Sequence, residues 1–258
     1  MIADYILGTH DEEIARLALQ HSAWRNDALA AWRTAGFRPG QTILDVGCGP
    51  GFATLDLAGS AGSDGRVIAI DKSPRFLAAL DSRRPANVRV HRADLDAGEF
   101  PDIRADAAWC RWILTFTTRP RDVLARIAQA LRPGGTIVLH EYFDYSTWRG
   151  APRCEPLERF VEAVMQSWRD AGGEPDVALS LPKWLGELGF EIRKLRPIVA
   201  AVQPGEPKWK WLRAFIEING PRLVDLGYLT AGESAAVNAA TKSALMITPG
   251  VLEIVAAR

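Results

Sequence analysis

An apolar strand that runs straight into a turn with glycines at alternate positions, Ile43-Leu44-Asp45-Val46-Gly47-Cys48-Gly49-Pro50-Gly51-Phe52, constrains this chain more than any other feature. Such a turn has little side-chain bulk to keep a ligand away from bare backbone. The helix it opens offers unpaired N–H groups and the positive end of its dipole. Two nucleotide-binding readings compete for it. A phosphate-gripping loop needs GxxxxGK followed by Ser or Thr, and no Lys follows Gly51. The dinucleotide fingerprint GxGxxG needs a small residue where Phe52 stands. The pattern is instead GxGxG, and Pro50 removes a backbone donor, which suits a cofactor without a pyrophosphate.

Further signals follow in order: Val67-Ile68-Ala69-Ile70-Asp71 as a second strand ending in an acid, Arg92-Ala93-Asp94-Leu95 after a third, and Leu131-Arg132-Pro133-Gly134-Gly135-Thr136 before a fifth. With these four segments the sequence resembles the class I S-adenosylmethionine-dependent methyltransferases, whose first motif reads Asp-x-Gly-x-Gly-x-Gly after an apolar strand. The resemblance implies S-adenosyl-L-methionine as cofactor and S-adenosyl-L-homocysteine as product. It implies cofactor contacts at Asp45, Gly47, Gly49, Gly51, Asp71, Lys72, Asp94, Leu95, Cys110 and Arg111. The residues themselves carry part of this. Asp71 closes a strand about 20 residues past the turn, where an acid can accept from both ribose hydroxyls. The alternative is a strand-end Asp capping the next helix, although Ser73-Pro74 already supplies a cap and a first-turn proline. By the resemblance, Asp94 accepts from the adenine amino group and the next backbone N–H reaches a ring nitrogen; otherwise it is a solvated loop acid. Asp45, inside a strand, must be hydrogen-bonded, bracing the turn or accepting from the cofactor's amino group.

Composition narrows the partners. Lys plus Arg equals Asp plus Glu at 31 each, so no global field draws the chain to nucleic acid or an anionic membrane. Three cysteines, Cys48, Cys110 and Cys154, are too few and scattered for a metal cluster and fit a reducing cytoplasm. No apolar run approaches the ~20 residues of a membrane span, and the start Met1-Ile2-Ala3-Asp4-Tyr5 lacks the features of a signal peptide. A small-molecule acceptor, no metal and a cytoplasmic location are therefore expected.

The rest of the chain reads as alternating strands and helices from residue 42: strands 42–47, 66–71, 87–91, 105–110, 135–142, 190–200 and 250–256, with helices 51–59, 74–82, 119–131 and 182–188 between them. Such alternation gives an α/β fold, a parallel sheet covered by helices on both faces with right-handed crossovers. The resemblance implies a Rossmann-like seven-stranded sheet of order 3-2-1-4-5-7-6 with the last strand antiparallel. Residues 1–258 then form a single domain, with core segments 37–144, 183–202 and 247–258. Three pieces lie outside the core. In the arm, 1–36, Thr9-His10-Asp11-Glu12 predicts a capping box, followed by Ile14, Leu17, Ala18, His21, Ala28 and Trp32 at helical spacing. The insertion 145–182 has no obvious strand but a helical stripe at Leu157, Phe160, Val161, Val164, Met165 and Trp168. A second insertion, 203–246, is rich in Trp, Pro and Ala. Joined to connections above the carboxyl ends of the strands, these pieces make a helical lid. Trp24, Trp148, Trp168, Trp209 and Trp211 in them line a pocket for a flat or apolar acceptor, or else serve as core residues or a homodimer contact.

Methyl transfer from a sulfonium is an in-line displacement that needs alignment more than acid or base chemistry. A phenol or carbon acceptor must still lose a proton, and Glu141 or Tyr145 near the end of the fifth strand is the expected base, with His140 as the alternative. Alternation places His140 and Tyr142 on one face and Glu141 and Phe143 on the other. In similar quinone-biosynthesis enzymes the segment after the fourth strand carries a histidine where this chain has Phe116. Near the start, Tyr5-Ile6-Leu7-Gly8, with Arg16 and Gln20 downstream, resembles that group's amino-terminal signature, which implies that Tyr5 folds over the methionine half. Two other readings stay open: a protein of the same fold that binds the cofactor without methylating, and a nicotinamide oxidoreductase.

Overall fold

The computed structural model describes residues 10–258. The elements run α1 (Asp11–Thr34), β1 (Thr42–Val46), α2 (Phe52–Ala61), β2 (Arg66–Asp71), α3 (Pro74–Asp81), β3 (Val88–Arg92), β4 (Ala105–Arg111), α4 (Pro120–Ala130), β5 (Leu131–Asp144), β6 (Arg149–Ala151), α5 (Glu155–Asp170), α6 (Leu181–Glu187), β7 (Glu191–Ile198), β8 (Ala201–Val202), α7 (Pro207–Asp225), α8 (Ala231–Ala240), β9 (Leu245–Ile247) and β10 (Gly250–Ala257). The main sheet has the order β3-β2-β1-β4-β5-β10-β7. Its first five strands are parallel, and β10 runs antiparallel between β5 and β7. Counting only this sheet's strands, that is the 3-2-1-4-5-7-6 arrangement expected of a Rossmann-like α/β fold.

β1 is buried along its whole length because helices cover both its faces. Leu44 and Val46 point into one apolar layer with α4 and α6, while Ile43 points into the other with α1 and α2. Asp45 shares Ile43's side by alternation, which brings its carboxylate to Thr54 on α2. A third apolar cluster lies between α1, α5, α7 and α8. Among the described residues, no helix is long and apolar enough to cross a membrane.

Several boundaries depart from the sequence expectation. His10, not Thr9, is the N-cap of α1, and its Nδ1 accepts from Glu13 N at 3.2 Å; Thr9 lies outside the described residues. The buried stripe of α1 carries Glu13 and Arg16 in place of Ile14 and Leu17. Two side-chain bonds of 2.7 Å from Arg16 to Glu13 make that burial tolerable, since each charge is paired. β5 starts at Leu131 with no loop after α4, because Leu131 pairs with Ala105 before the Pro-Gly-Gly segment bulges out and pairing resumes at Thr136. The insertion 145–182 does contain a strand, β6, which joins β9 and β8 in a small antiparallel ribbon. Strands of two or three residues are too short to show alternation in a sequence.

Candidate functional site

Between β1 and α2 the chain turns through Gly47, Gly49 and Gly51, whose φ angles are +68°, +53° and +85°. All three are left-handed conformations that glycine adopts without strain. At two of them space is decisive as well: a Cβ on Gly47 would lie 2.0 Å from Ile113 Cδ1, and one on Gly51 2.3 Å from Leu80 Cδ1. The turn is pinned from the neighbouring strand. Gly49 N donates to Asp71 Oδ2 at 2.9 Å and Ser73 N to Asp71 Oδ1 at 2.8 Å. Burial pushes the Asp71 carboxyl up, and these backbone donors act against it. Gly51 is the N-cap of α2 and brings no side-chain acceptor to the helix's first N–H groups.

Two hollows of about 610 and 540 Å³ lie side by side at the carboxyl ends of the strands and share Gly47, Asp71 and Ile113 as a common wall. The first is bounded by Gln20 and His21 from α1, Asp45 and the glycine turn, Phe76, and the run Trp109, Arg111, Trp112 at the end of β4. The second is bounded by Lys72, the Ala93–Asp96 segment, Phe116 and Thr117.

Charge in the first hollow is organised around Arg111. Its Nη2 lies 3.1 Å from His21 Nδ1, and because a guanidinium only donates, Nδ1 is the acceptor. His21 therefore carries its proton on Nε2 and donates to Asp56 Oδ2 at 3.0 Å, and Arg25 holds the same carboxylate through bonds of 2.7 and 2.9 Å. Burial, reinforced by the Arg111 charge, pulls the His21 pKa down to about 4, so the imidazole is neutral at ordinary pH. Burial also lowers Arg111, to about 10, which leaves it charged. Its guanidinium sits 5.5 and 5.1 Å from the ring centroids of Trp109 and Trp112. Arg111 Nη1 is buried with no hydrogen-bond partner among the described residues. Asp45 accepts from Thr54 Oγ1 at 2.6 Å, and burial pushes its carboxyl up to about 7.

Of the residues singled out from sequence, Asp45, Gly47, Gly49, Asp71 and Arg111 border the first hollow, and Lys72, Asp94 and Leu95 the second. The Oδ1 of Asp94 accepts from Asp96 N at 3.0 Å, which folds the loop around the carboxylate. Tyr5 lies outside the described residues. Gly51 borders neither hollow and acts through the turn. Cys110 is sealed in the sheet with Sγ 3.9 Å from Glu141 Oε1.

None of the expected bases borders either hollow. Glu141 is fully buried and accepts from Ile113 N, Leu114 N, Thr115 N and Thr115 Oγ1 at 2.9–3.2 Å. It braces the loop after β4. Burial pushes its carboxyl up to about 7 against those donors. Tyr145 is 1% exposed among Tyr142, Trp148 and Trp168, and burial drives its phenol far above the usual range. His140 is buried beneath Trp109 and binds Glu253 Oε2 through Nε2 at 3.2 Å. Sequence reasoning missed His21, Trp109 and Trp112 as cleft residues. His21 had one legible signal, its place on the buried stripe of α1.

Residues 43–135 match the family described as a methyltransferase domain. Over 201 residues the chain is 26% identical to a tRNA U34 carboxymethyltransferase of Pseudoalteromonas translucida, covering 73% of this chain and 57% of that one. Over 127 residues it is 29% identical to the ubiquinone/menaquinone biosynthesis C-methyltransferase UbiE of Azotobacter vinelandii, covering 47% of this chain and 49% of that one. The match thus spans about half the length of these curated relatives. Among solved structures, an S-adenosylmethionine-dependent methyltransferase from Mesorhizobium loti shares the fold with a TM-score of 0.57 at 22% identity, covering 93% of this chain and 100% of that one.

Proposed function

We propose that the chain, whose residues 43–135 match a methyltransferase domain, is a class I S-adenosylmethionine-dependent methyltransferase that methylates a small, largely apolar or aromatic metabolite at oxygen or carbon. The observation that carries the reading is the pair of hollows meeting at Gly47 and Asp71, one lined by Arg111, whose buried Nη1 has no partner among the described residues, and the other by Asp94 and Leu95. An adenosyl amino acid fits that division. Asp71 sits at the junction and takes the ribose hydroxyls, since each of its oxygens retains a lone pair beyond its backbone bond. Asp94 and the Leu95 N–H take adenine, with Lys72 beside them. Arg111 Nη1 takes the carboxylate of the amino-acid end, a charge-assisted bond in a site with little water. The bound cofactor supplies an electrophilic methyl group, and the protein contributes alignment and the exclusion of water.

The arm 1–36, of which 10–36 are described, and the insertions 145–182 and 203–246 act as the lid over one catalytic unit made by 37–144, 183–202 and 247–258. A small acceptor in the cytoplasm, with no nucleic acid, agrees with the balanced charge of 31 basic and 31 acidic residues. The test is to incubate the protein with S-adenosylmethionine carrying a labelled methyl group and a panel of phenols, naphthols and aliphatic alcohols. Label should move to an aromatic acceptor, with S-adenosylhomocysteine formed in step. Cofactor binding without S-adenosylhomocysteine from any acceptor would favour a non-methylating use of the fold. Stabilisation by a nicotinamide dinucleotide and not by S-adenosylhomocysteine would overturn the cofactor assignment.

A further inference from the structure

Trp112 borders the first hollow and is also a buried member of the aromatic cluster formed by α1, α5, α7 and α8. Its backbone is unusual: at φ +52° it is the single non-glycine residue with positive φ among the described residues. A bulky side chain adopts that conformation at a cost and keeps it only where its surroundings impose it. Trp112 N donates to His140 O at 3.0 Å, and the three N–H groups after it converge on Glu141. The loop is thus fixed on both sides of the strained residue.

The strain delivers the indole to a stacking position. Trp112 lies nearly parallel to Tyr142 (centroids 5.4 Å, 16°) and to Trp211 (5.7 Å, 11°), and Trp24 stands perpendicular to it at 5.3 Å. Offset stacking and edge-on contact are the arrangements that aromatic rings favour, so the place is shaped for a flat ring. The indole N–H groups of Trp24 and Trp112 are buried with no partner among the described residues, although the neighbouring Trp211 donates to Gln20 Oε1 at 3.1 Å and Trp209 to Ala244 O at 2.8 Å. A buried donor with no acceptor is costly, and a ligand oxygen would relieve it.

We propose that the Trp112 indole is the placeholder of the acceptor. The substrate class is a planar aromatic molecule bearing an oxygen, such as a phenol or aryl ketone. It displaces the indole, stacks on Tyr142 and Trp211 and accepts a hydrogen bond from Trp24 Nε1, while Trp112 leaves its left-handed conformation. This inference rests on the methyltransferase reading for the cofactor that lies beside it.

The experiment uses Trp112→Gly, which keeps the backbone angle without strain and empties the stacking position. Calorimetry with S-adenosylhomocysteine present compares 2-naphthol with decahydro-2-naphthol, its puckered counterpart. The variant is expected to bind 2-naphthol at least ~10-fold more tightly than the wild type and in preference to the puckered alcohol. Adding Trp24→Phe should weaken 2-naphthol several-fold and leave naphthalene unchanged. Equal binding of the two alcohols, or binding of neither, overturns the proposal. Titration with S-adenosylhomocysteine alone keeps the two readings apart, because its failure counts against the cofactor site and not against the stacking position. If Trp112→Gly does not fold, fluorine NMR of wild-type protein labelled with 5-fluorotryptophan decides. On adding 2-naphthol the Trp112 resonance should move to a solvent-exposed position, and an unmoved resonance contradicts the displacement.

Discussion

Asp71 has two jobs on one carboxylate, pinning the glycine turn through Gly49 N and standing where the two hollows meet. Asp71→Ala should raise the dissociation constant for S-adenosylhomocysteine ~10-fold or more in calorimetry, from loss of hydrogen bonds to a charged group. A change under about twofold would remove Asp71 from the site. His21 yields a pH prediction. Its folded pKa of about 4 lies below the 6.5 of a free imidazole, so the unfolded chain binds the extra proton first as pH falls. The stability tied to neutral His21 is present above pH 6.5 and lost as pH falls toward 4. His21→Gln keeps a donor and an acceptor but cannot titrate. Urea titrations should therefore show the wild type losing up to about 3 kcal/mol relative to the variant across that window. A pH-independent difference would contradict the assignment. The glycine turn and Asp71 were legible because the turn's chemistry is local. The partnership of His21 with Arg111, 90 residues apart in sequence, was not. Glu141 misled for a similar reason: alternation gives the face it points to, but only the fold shows three N–H groups of the β4 loop already filling that face.

The turn from β1 to α2 works because it has no room to spare. Gly47→Ala would place a methyl 2.0 Å from Ile113 Cδ1 at φ +68°, beside the wall common to both hollows. It should lower stability by about 2 kcal/mol or more in chemical denaturation and weaken cofactor binding together with it. Wild-type affinity and stability would show that the turn tolerates bulk. Periodicity revealed the long elements, including the stripe of α5 with Leu157, Phe160, Val161, Val164 and Trp168 buried. It did not reveal the ribbon of β6, β9 and β8, whose strands are only two or three residues long. Nor did it show that Leu131 joins the sheet before the Pro-Gly bulge, since that pairing depends on where Ala105 lies.

Across the whole molecule, α1 and α7 are tied to the sheet through charge as well as aromatic packing. Glu253 on β10 is fully buried and accepts from His140 Nε2, from Arg196 at 3.0 and 2.7 Å, and from Lys194 at 3.0 Å. Burial would raise its carboxyl, but these donors outweigh burial and hold it well below the usual range. Arg196 also reaches Asp27 on α1 at 3.1 Å, and Lys208 at the start of α7 binds the same carboxylate at 2.9 Å. One network thus joins the arm, the second insertion and the sheet edge. Glu253→Ala should cost about 3 kcal/mol by leaving paired cations without their anion, measured as a fall in urea midpoint. No change in midpoint would show the network to be incidental. The central claim, that the turn after Val46 and the carboxylate of Asp71 hold an adenosyl amino acid, is tested most directly by a crystal structure grown with S-adenosylhomocysteine. Density should fill both hollows, with the ribose on Asp71, the base beside Asp94 and the carboxylate on Arg111 Nη1. Density at any other place, or cleft hollows left empty at saturating ligand, would contradict it.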